Sequence, residues 1–194
     1  MQRVGILLFD GVEELDAVGP WEVFGAWAQQ HPDEAELVAV GPRPGPVRAA
    51  KGLRLHAERG RSDVGSLDVL VHPGGMGTRP LLKDDEHLDW VREQRRQVPL
   101  LTSVCTGSLV YAAAGLLAGR PATTHWQSLD LLAELDPSIE VRPADRFVDD
   151  GDVVTSAGVS AGIDMALYVL ARLAGLERAR QIRRYIQYDP LPPV

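Results

Sequence analysis

The strongest constraint on the fold is a set of short, nearly continuous apolar runs separated by helical patterns. Val4 to Phe9, the Val-Leu-Val centre of Asp68 to His72, and Pro99 to Val104 set apolar residues side by side rather than at every second position. A strand with one wet face alternates apolar and polar residues, whereas a strand covered on both faces needs no alternation. Each run therefore reads as a strand with helices on both sides. The intervening segments fit that reading. Val18 to Gln30 sets Trp21, Phe24, Gly25 and Ala28 at helical spacing, with Pro20 expected in the first turn, where its missing N–H is harmless. Asp84 to Arg96 is an amphipathic helix with Leu88 and Val91 inward, and Thr106 to Ala118, Leu129 to Leu135, Ser160 to Ala174 and Leu176 to Tyr188 read as helices too.

Further strands are expected at Glu36 to Val40, in two short pieces around Lys51-Gly52 within Val47 to Ala57, and at Thr123 to His125. A hairpin is expected from Arg146 to Asp149 and Asp152 to Thr155, turned at Asp150-Gly151. Pro190, Pro192 and Pro193 close the chain. The β/α alternation predicts one domain over residues 1–194, with a mostly parallel sheet, helices on both faces and a site outside the carboxyl ends of the strands.

Charge and composition remove several function classes. The net charge of −7 argues against a nucleic-acid partner. The one basic cluster, Arg178, Arg180, Arg183 and Arg184, reads as a solvated helix face. A single cysteine rules out an intramolecular disulfide and a cysteine-cluster metal site, and the five histidines show no close ligand spacing. No metal or cofactor is expected, and no G-x-G-x-x-G or Walker A pattern is present. No apolar stretch approaches the roughly 20 residues of a membrane span, and the opening run Gly5 to Phe9 is too short for a secretion leader. The expectation is a cytoplasmic protein without a membrane partner, acting on a small molecule.

Cys105 carries the main chemical inference. It directly follows the strand ending at Val104 and precedes the helix opening Thr106-Gly107-Ser108, the layout of a nucleophile elbow. A helix N-terminus offers free N–H groups and partial positive charge, so a depressed thiol pKa is expected. The alternative is a small buried hydrophobe. Gly74 and Gly75, with Met76 after them, end the preceding strand and could either form an ordinary turn or present amides to an anionic intermediate. Asp16 could serve in the first turn of its helix or act as a partly buried carboxyl exchanging protons near Cys105. Glu13, Glu14 and Glu22 are less well placed. His125 could pair with the cysteine as a base or simply pack, on a strand expected beside the elbow strand. His72 reads as structural, and His31 and His87 as surface positions. Trp21, Trp126 and Met76 could shape an apolar pocket or belong to the core.

Six motifs in order then carry a resemblance. Asp10-Gly11, Leu15-Asp16-Ala17-Val18-Gly19-Pro20-Trp21-Glu22-Val23-Phe24, His72-Pro73-Gly74-Gly75, Val104-Cys105-Thr106-Gly107-Ser108, Ala122-Thr123-Thr124-His125-Trp126 and Thr155-Ser156-Ala157-Gly158 together resemble the ThiJ/PfpI superfamily, a class I glutamine amidotransferase-like group. The resemblance implies a flavodoxin-like three-layer α/β sandwich with a nucleophile elbow. The Leu-Asp-x-x-Gly-Pro segment and the Cys-Thr-Gly-Ser elbow are most similar to the isonitrile (isocyanide) hydratase branch. That implies Cys105 as nucleophile, Asp16 as acid/base partner, Thr106 as an active-site hydroxyl, and a homodimer with its site near the interface. Thr106 stands where PfpI-type proteases carry histidine, and Asp16 stands where deglycase relatives carry glutamate. Action on reactive carbonyls, or a non-enzymatic redox or ligand-sensing role as in AraC-type regulators, are the alternatives. The chain's end at Val194 leaves no helix-turn-helix half to be expected in it.

Overall fold

The computed structural model describes residues 1–191, so Pro192 and Pro193 lie outside the described residues. The elements run β1 (Gln2–Leu7), α1 (Glu14–Gln30), β2 (Ala35–Gly41), β3 (Gly45–Arg48), β4 (Arg54–Ala57), β5 (Arg59–Gly60), β6 (Val69–His72), α2 (Thr78–Leu81), α3 (Asp85–Gln97), β7 (Leu100–Val104), α4 (Gly107–Ala113) and β8 (Pro121–Ala122). A 3-10 turn (Trp126–Ser128) leads to α5 (Leu129–Leu135), β9 (Glu140–Val141), β10 (Phe147–Asp149), β11 (Val153–Ser156), α6 (Ala161–Ala174) and α7 (Leu176–Tyr185).

Seven strands form the central sheet in the order β10-β11-β7-β6-β1-β2-β5. Every pairing is parallel except β10 with β11, the expected hairpin. β6 and β7 are buried at every position, as their unbroken apolar character requires. The helices form two groups: α1, α6 and α7 contact one another, and so do α2, α3, α4 and α5, with the sheet between the groups. The result is a flavodoxin-like three-layer α/β sandwich. From β1 the chain steps to β2 on one side and later returns to β6 on the other, so the strand order reverses between β1 and β6. Crevices outside the carboxyl ends at such a point are where sheets of this kind bind ligands. Among the described residues, no helix is long and apolar enough to cross a membrane.

Three local expectations are corrected. Thr123 to His125 is not a strand. Both edges of β7 are already taken by β6 and β11, and the short ladder in this region is β8 with β9, starting two residues earlier. Thr123 N–H and the Thr124 hydroxyl instead reach Thr155 Oγ1 and the Cys105 carbonyl, both at 2.9 Å. Pro20 is not in a first turn, because α1 begins at Glu14 and Pro20 lies inside it. Its missing N–H leaves the Asp16 carbonyl without the usual intrahelical donor, and burial of Ala17, Val23, Phe24 and Trp27 holds the helix regardless. Finally, α4 ends at Ala113 rather than Ala118, and Gly115 turns the chain with φ +78°.

Candidate active site

Cys105 sits in the sharp turn between β7 and α4 with φ +57°, a left-handed conformation that costs a non-glycine residue about 1–3 kcal/mol. Hydrogen bonds on both sides of the residue hold it there. Its N–H donates to the Ser156 and Ala157 carbonyls, each at 3.1 Å. Its carbonyl accepts from Thr124 Oγ1 at 2.9 Å and Ser108 Oγ at 3.1 Å. The side chain is thereby set above the sheet's carboxyl edge and is only 5% exposed.

Asp16 comes from the first turn of α1 and is fully buried. Its Oδ2 accepts the Gly74 N–H at 2.9 Å, while the Glu13 N–H donates to the Gly74 carbonyl at 2.9 Å, so Gly74 clamps the start of α1 from both ends of one residue. Oδ1 is buried and has no hydrogen-bond partner of good geometry among the described residues. The Cys105 thiol is near enough to this carboxyl for the two groups to couple in their ionisation. Only glycine fits at position 74, since a Cβ there would lie 2.4 Å from Thr106 N and 2.8 Å from Asp16 Oδ2. Gly75, at φ +115°, donates its N–H to Thr106 Oγ1 at 2.9 Å. The ends of β1, β6 and β7 thus deliver Asp16, the Gly74-Gly75 turn and Cys105 to one place.

The electrostatics differ from the expectation of a depressed thiol. Burial, followed by the facing charge of Asp16, pushes the Cys105 thiol up to about 12. The Thr106 N–H at the start of α4 and the Val159 N–H both oppose the rise. They are outweighed because the site is desolvated and a carboxylate faces the thiolate. Burial also raises Asp16 to about 7, against the pull of the Gly74 N–H, the Cys105 thiol and the Val159 N–H, with the Glu13 charge adding to the rise. The two groups titrate as a pair that holds at most one negative charge near neutrality and not two.

Thr106 is 7% exposed, and its hydroxyl is fully engaged with the Gly75 amide, the Gly75 carbonyl at 3.2 Å and Thr78 Oγ1 at 3.1 Å. Both glycine amides are occupied by side chains rather than open to a ligand. Met76 and Trp126 are 70% and 71% exposed, on the loop before α2 and on the 3-10 turn. Arg79 Nη2 to Ser128 Oγ, at 3.2 Å, ties those two segments into one rim. His125 is half-buried and packs on Gly158, where an added Cβ would lie 2.2 Å from the ring. Its Nδ1 accepts the Gln127 N–H at 3.3 Å. Trp21 faces a different hollow, shared with Val18, Leu55 and His56. Glu13 and Glu14 pair with Lys51 on the β3–β4 hairpin. Among the described residues no cluster of three or more His, Cys, Asp or Glu could hold a metal.

Two residues escape a reading of the sequence. Val159 adopts φ +53°, which a β-branched side chain strongly disfavours, and its N–H favours the ionised forms of both Cys105 and Asp16. Nothing in its own residue type signals this. His87 is 3% exposed rather than on the surface. Its spacing to Val91 and Gln94, at i, i+4 and i+7 on the buried stripe of α3, was the available signal.

The DJ-1/PfpI family pattern matches residues 2–172. The chain belongs to the DJ-1/PfpI family. Within reach of that family, it is 42% identical over 193 residues to an isonitrile hydratase of Pseudomonas putida, covering 98% of this chain and 80% of that protein. It is 32% identical over 182 residues to the HTH-type transcriptional regulator CdhR of Pseudomonas aeruginosa, spanning 93% of this chain but 53% of the regulator. A ThiJ/PfpI family protein from Pseudomonas syringae superposes with a TM-score of 0.89 at 33% identity, over 100% of this chain and 77% of that one.

The raised Asp16 predicts a stability signature. The folded carboxyl keeps its proton to about 7 while the unfolded one loses it near 3.8. The folded state binds more protons in that window, so this group's contribution to stability is complete below it and declines as pH rises through it. Asp16→Asn does not titrate. Urea unfolding should show the variant gaining on the wild type by roughly 2–4 kcal/mol between pH 4 and pH 8. Parallel stability curves would contradict the assignment.

Proposed function

We propose that the protein is an isonitrile hydratase-like enzyme that converts an isonitrile to an N-substituted formamide through Cys105. The single observation that carries the reading is the buried Asp16 carboxyl against the Cys105 thiol at the elbow. The 42% identity to the Pseudomonas putida isonitrile hydratase across nearly the whole chain supports that chemistry over other reactions.

The mechanism starts from a protonated thiol. As Cys105 Sγ attacks the terminal isonitrile carbon, Asp16 takes the thiol proton and returns it to that carbon, giving a thioimidate. The Thr106 and Val159 N–H groups favour charge on the sulfur as it develops. Asp16 then removes a proton from water as the oxygen adds to the same carbon, and delivers that proton to nitrogen. Collapse breaks the C–S bond, releases the formamide and returns a proton to the sulfur through Asp16. The net change is addition of one water, with no redox step. Gly74 and Gly75 serve by orienting Asp16 and Thr106, rather than as free oxyanion donors. On this reading Met76, Trp126 and His125, on the segments that follow Gly75 and Thr124, are the residues assigned to substrate binding.

Formamide production from cyclohexyl isocyanide tests the reading. The reduced protein should turn over, Cys105→Ala should not, and Asp16→Asn should lose about 10²–10⁴ in kcat. The wild-type kcat/KM should rise with pH around the Asp16 midpoint of about 7. No turnover by fully reduced wild-type protein removes this reading.

We further infer a homodimer. Leu15, Val18 and Leu53 are exposed at one end of α1 and the β3–β4 hairpin, beside an apolar hollow of about 200 Å³ lined by Val18, Trp21 and Leu55. Exposed apolar surface of this kind marks an interaction face. Sedimentation should give twice the chain mass at micromolar concentration, and Leu53→Glu should shift it toward the monomer. A wild-type monomer at those concentrations contradicts the inference.

A further inference from the structure

A chain of hydrogen bonds leads from the surface to the amide that holds Asp16. Its outer end is Arg61, just after β5, whose side chain is 13% exposed and meets Glu86 Oε1 at 3.1 Å. Arg61 Nη1 lies 3.0 Å from His87 Nδ1 on α3. His87 Nε2 lies 3.0 Å from His72 Nε2 at the end of β6. His72 Nδ1 lies 2.8 Å from the Pro73 carbonyl oxygen. The other side of that same peptide is the Gly74 N–H, which donates to Asp16 Oδ2 at 2.9 Å.

Every proton in this chain has one permitted place. A guanidinium can only donate, so His87 Nδ1 accepts. A neutral His87 then carries its proton on Nε2 and donates to His72 Nε2. His72 must therefore be protonated on Nδ1, which faces a carbonyl that can only accept. Both imidazoles are held neutral. Burial pushes His72 down to about 4, and burial with the His72 and Arg61 charges pushes His87 down to about 2. The proposed chemistry uses neither histidine, yet both are buried, polar and fully partnered.

We propose that Arg61, His87 and His72 are positioning residues that tune Asp16 through the Pro73–Gly74 peptide. A donor on a peptide carbonyl draws electron density from the amide and strengthens its N–H, so consecutive hydrogen bonds reinforce one another. The relay brings the influence of a surface cation to a buried carboxylate without burying a second full charge. It favours ionised Asp16, the form that accepts the Cys105 proton. The inference rests on the reading of Asp16 as that proton acceptor. The other groups facing Asp16 are Cys105, Glu13 and, more distantly, Lys51, with the Val159 amide. Around His87 stand Arg61, His72, Trp90 and Asp84, whose Oδ1 accepts the His87 N–H at 3.2 Å. Apart from Arg61 and His72, which form the relay, neither set overlaps the path from Arg61 to Gly74.

The test is a direct titration of Asp16 by carbon-detected NMR on aspartate-labelled protein, with its resonance assigned by Asp16→Asn. His87→Phe keeps the packing and breaks the relay. His87→Gln keeps an acceptor toward Arg61 and a donor toward His72. Arg61→Met removes the cation at the outer end. The Asp16 midpoint should rise by about 0.3–0.6 pH unit in His87→Phe and Arg61→Met, a two- to four-fold change in its ionisation equilibrium, and stay at the wild-type value in His87→Gln. Midpoints that match the wild type in folded His87→Phe and Arg61→Met overturn the proposal, as does a His87→Gln that shifts as far as His87→Phe. If His87→Phe does not fold, Arg61→Met and His87→Gln decide the question. The readout needs no isonitrile, so it stands apart from the formamide assay.

Discussion

A carboxyl group and a thiol face each other where water is nearly excluded, and much of the surrounding structure follows from that pairing. Two anions cannot share such a site, so a proton must reside on one of them near neutrality. Asp16 can reach Cys105 because the ends of β1, β6 and β7 are adjacent in the sheet. Asp16 is held by Gly74, which is too crowded for a side chain, and two left-handed residues, Cys105 and Val159, border the site. Backbone strain of this kind persists only where surrounding bonds over-determine it. At Cys105 the Ser156, Ala157, Thr124 and Ser108 contacts do so.

The position of the proton changes the chemistry. A helix N-terminus alone would favour a standing thiolate, and the Thr106 N–H does pull the thiol down. Burial and the carboxyl outweigh it. At rest Cys105 is thus a thiol with a buried carboxyl coupled to it, and under the proposed mechanism charge develops on sulfur only as a substrate carbon arrives. The amides of Gly74 and Gly75 are spent internally, on the Asp16 carboxyl and the Thr106 hydroxyl.

How far this was legible in the sequence varied by residue. The unbroken apolar runs located β1, β6 and β7, because a strand buried on both faces has no other pattern. Cys105 at a strand-to-helix junction identified the elbow. Asp16 was ambiguous on local grounds, since a carboxylate in a first turn usually serves the helix dipole; only the resemblance favoured it, and only tertiary contacts place it against the thiol. Thr123 to His125 failed as a strand because ladder positions beside β7 were already filled, which no local window records. The conformation of Val159 runs against its residue type and is imposed from outside. His87 lay within reach of helical periodicity, but a histidine next to charged residues on α3 masked the stripe it shares with Val91 and Gln94.

The chain contains one cysteine, so its S–H stretch in the infrared has a single assignment. That band tests the location of the proton most directly. The shared-proton account predicts an S–H band in the folded protein at pH 8, absent from Cys105→Ser and shifted in frequency as Asp16 titrates near 7. A folded protein with no S–H absorption at pH 7, its sulfur already ionised at rest, would contradict it.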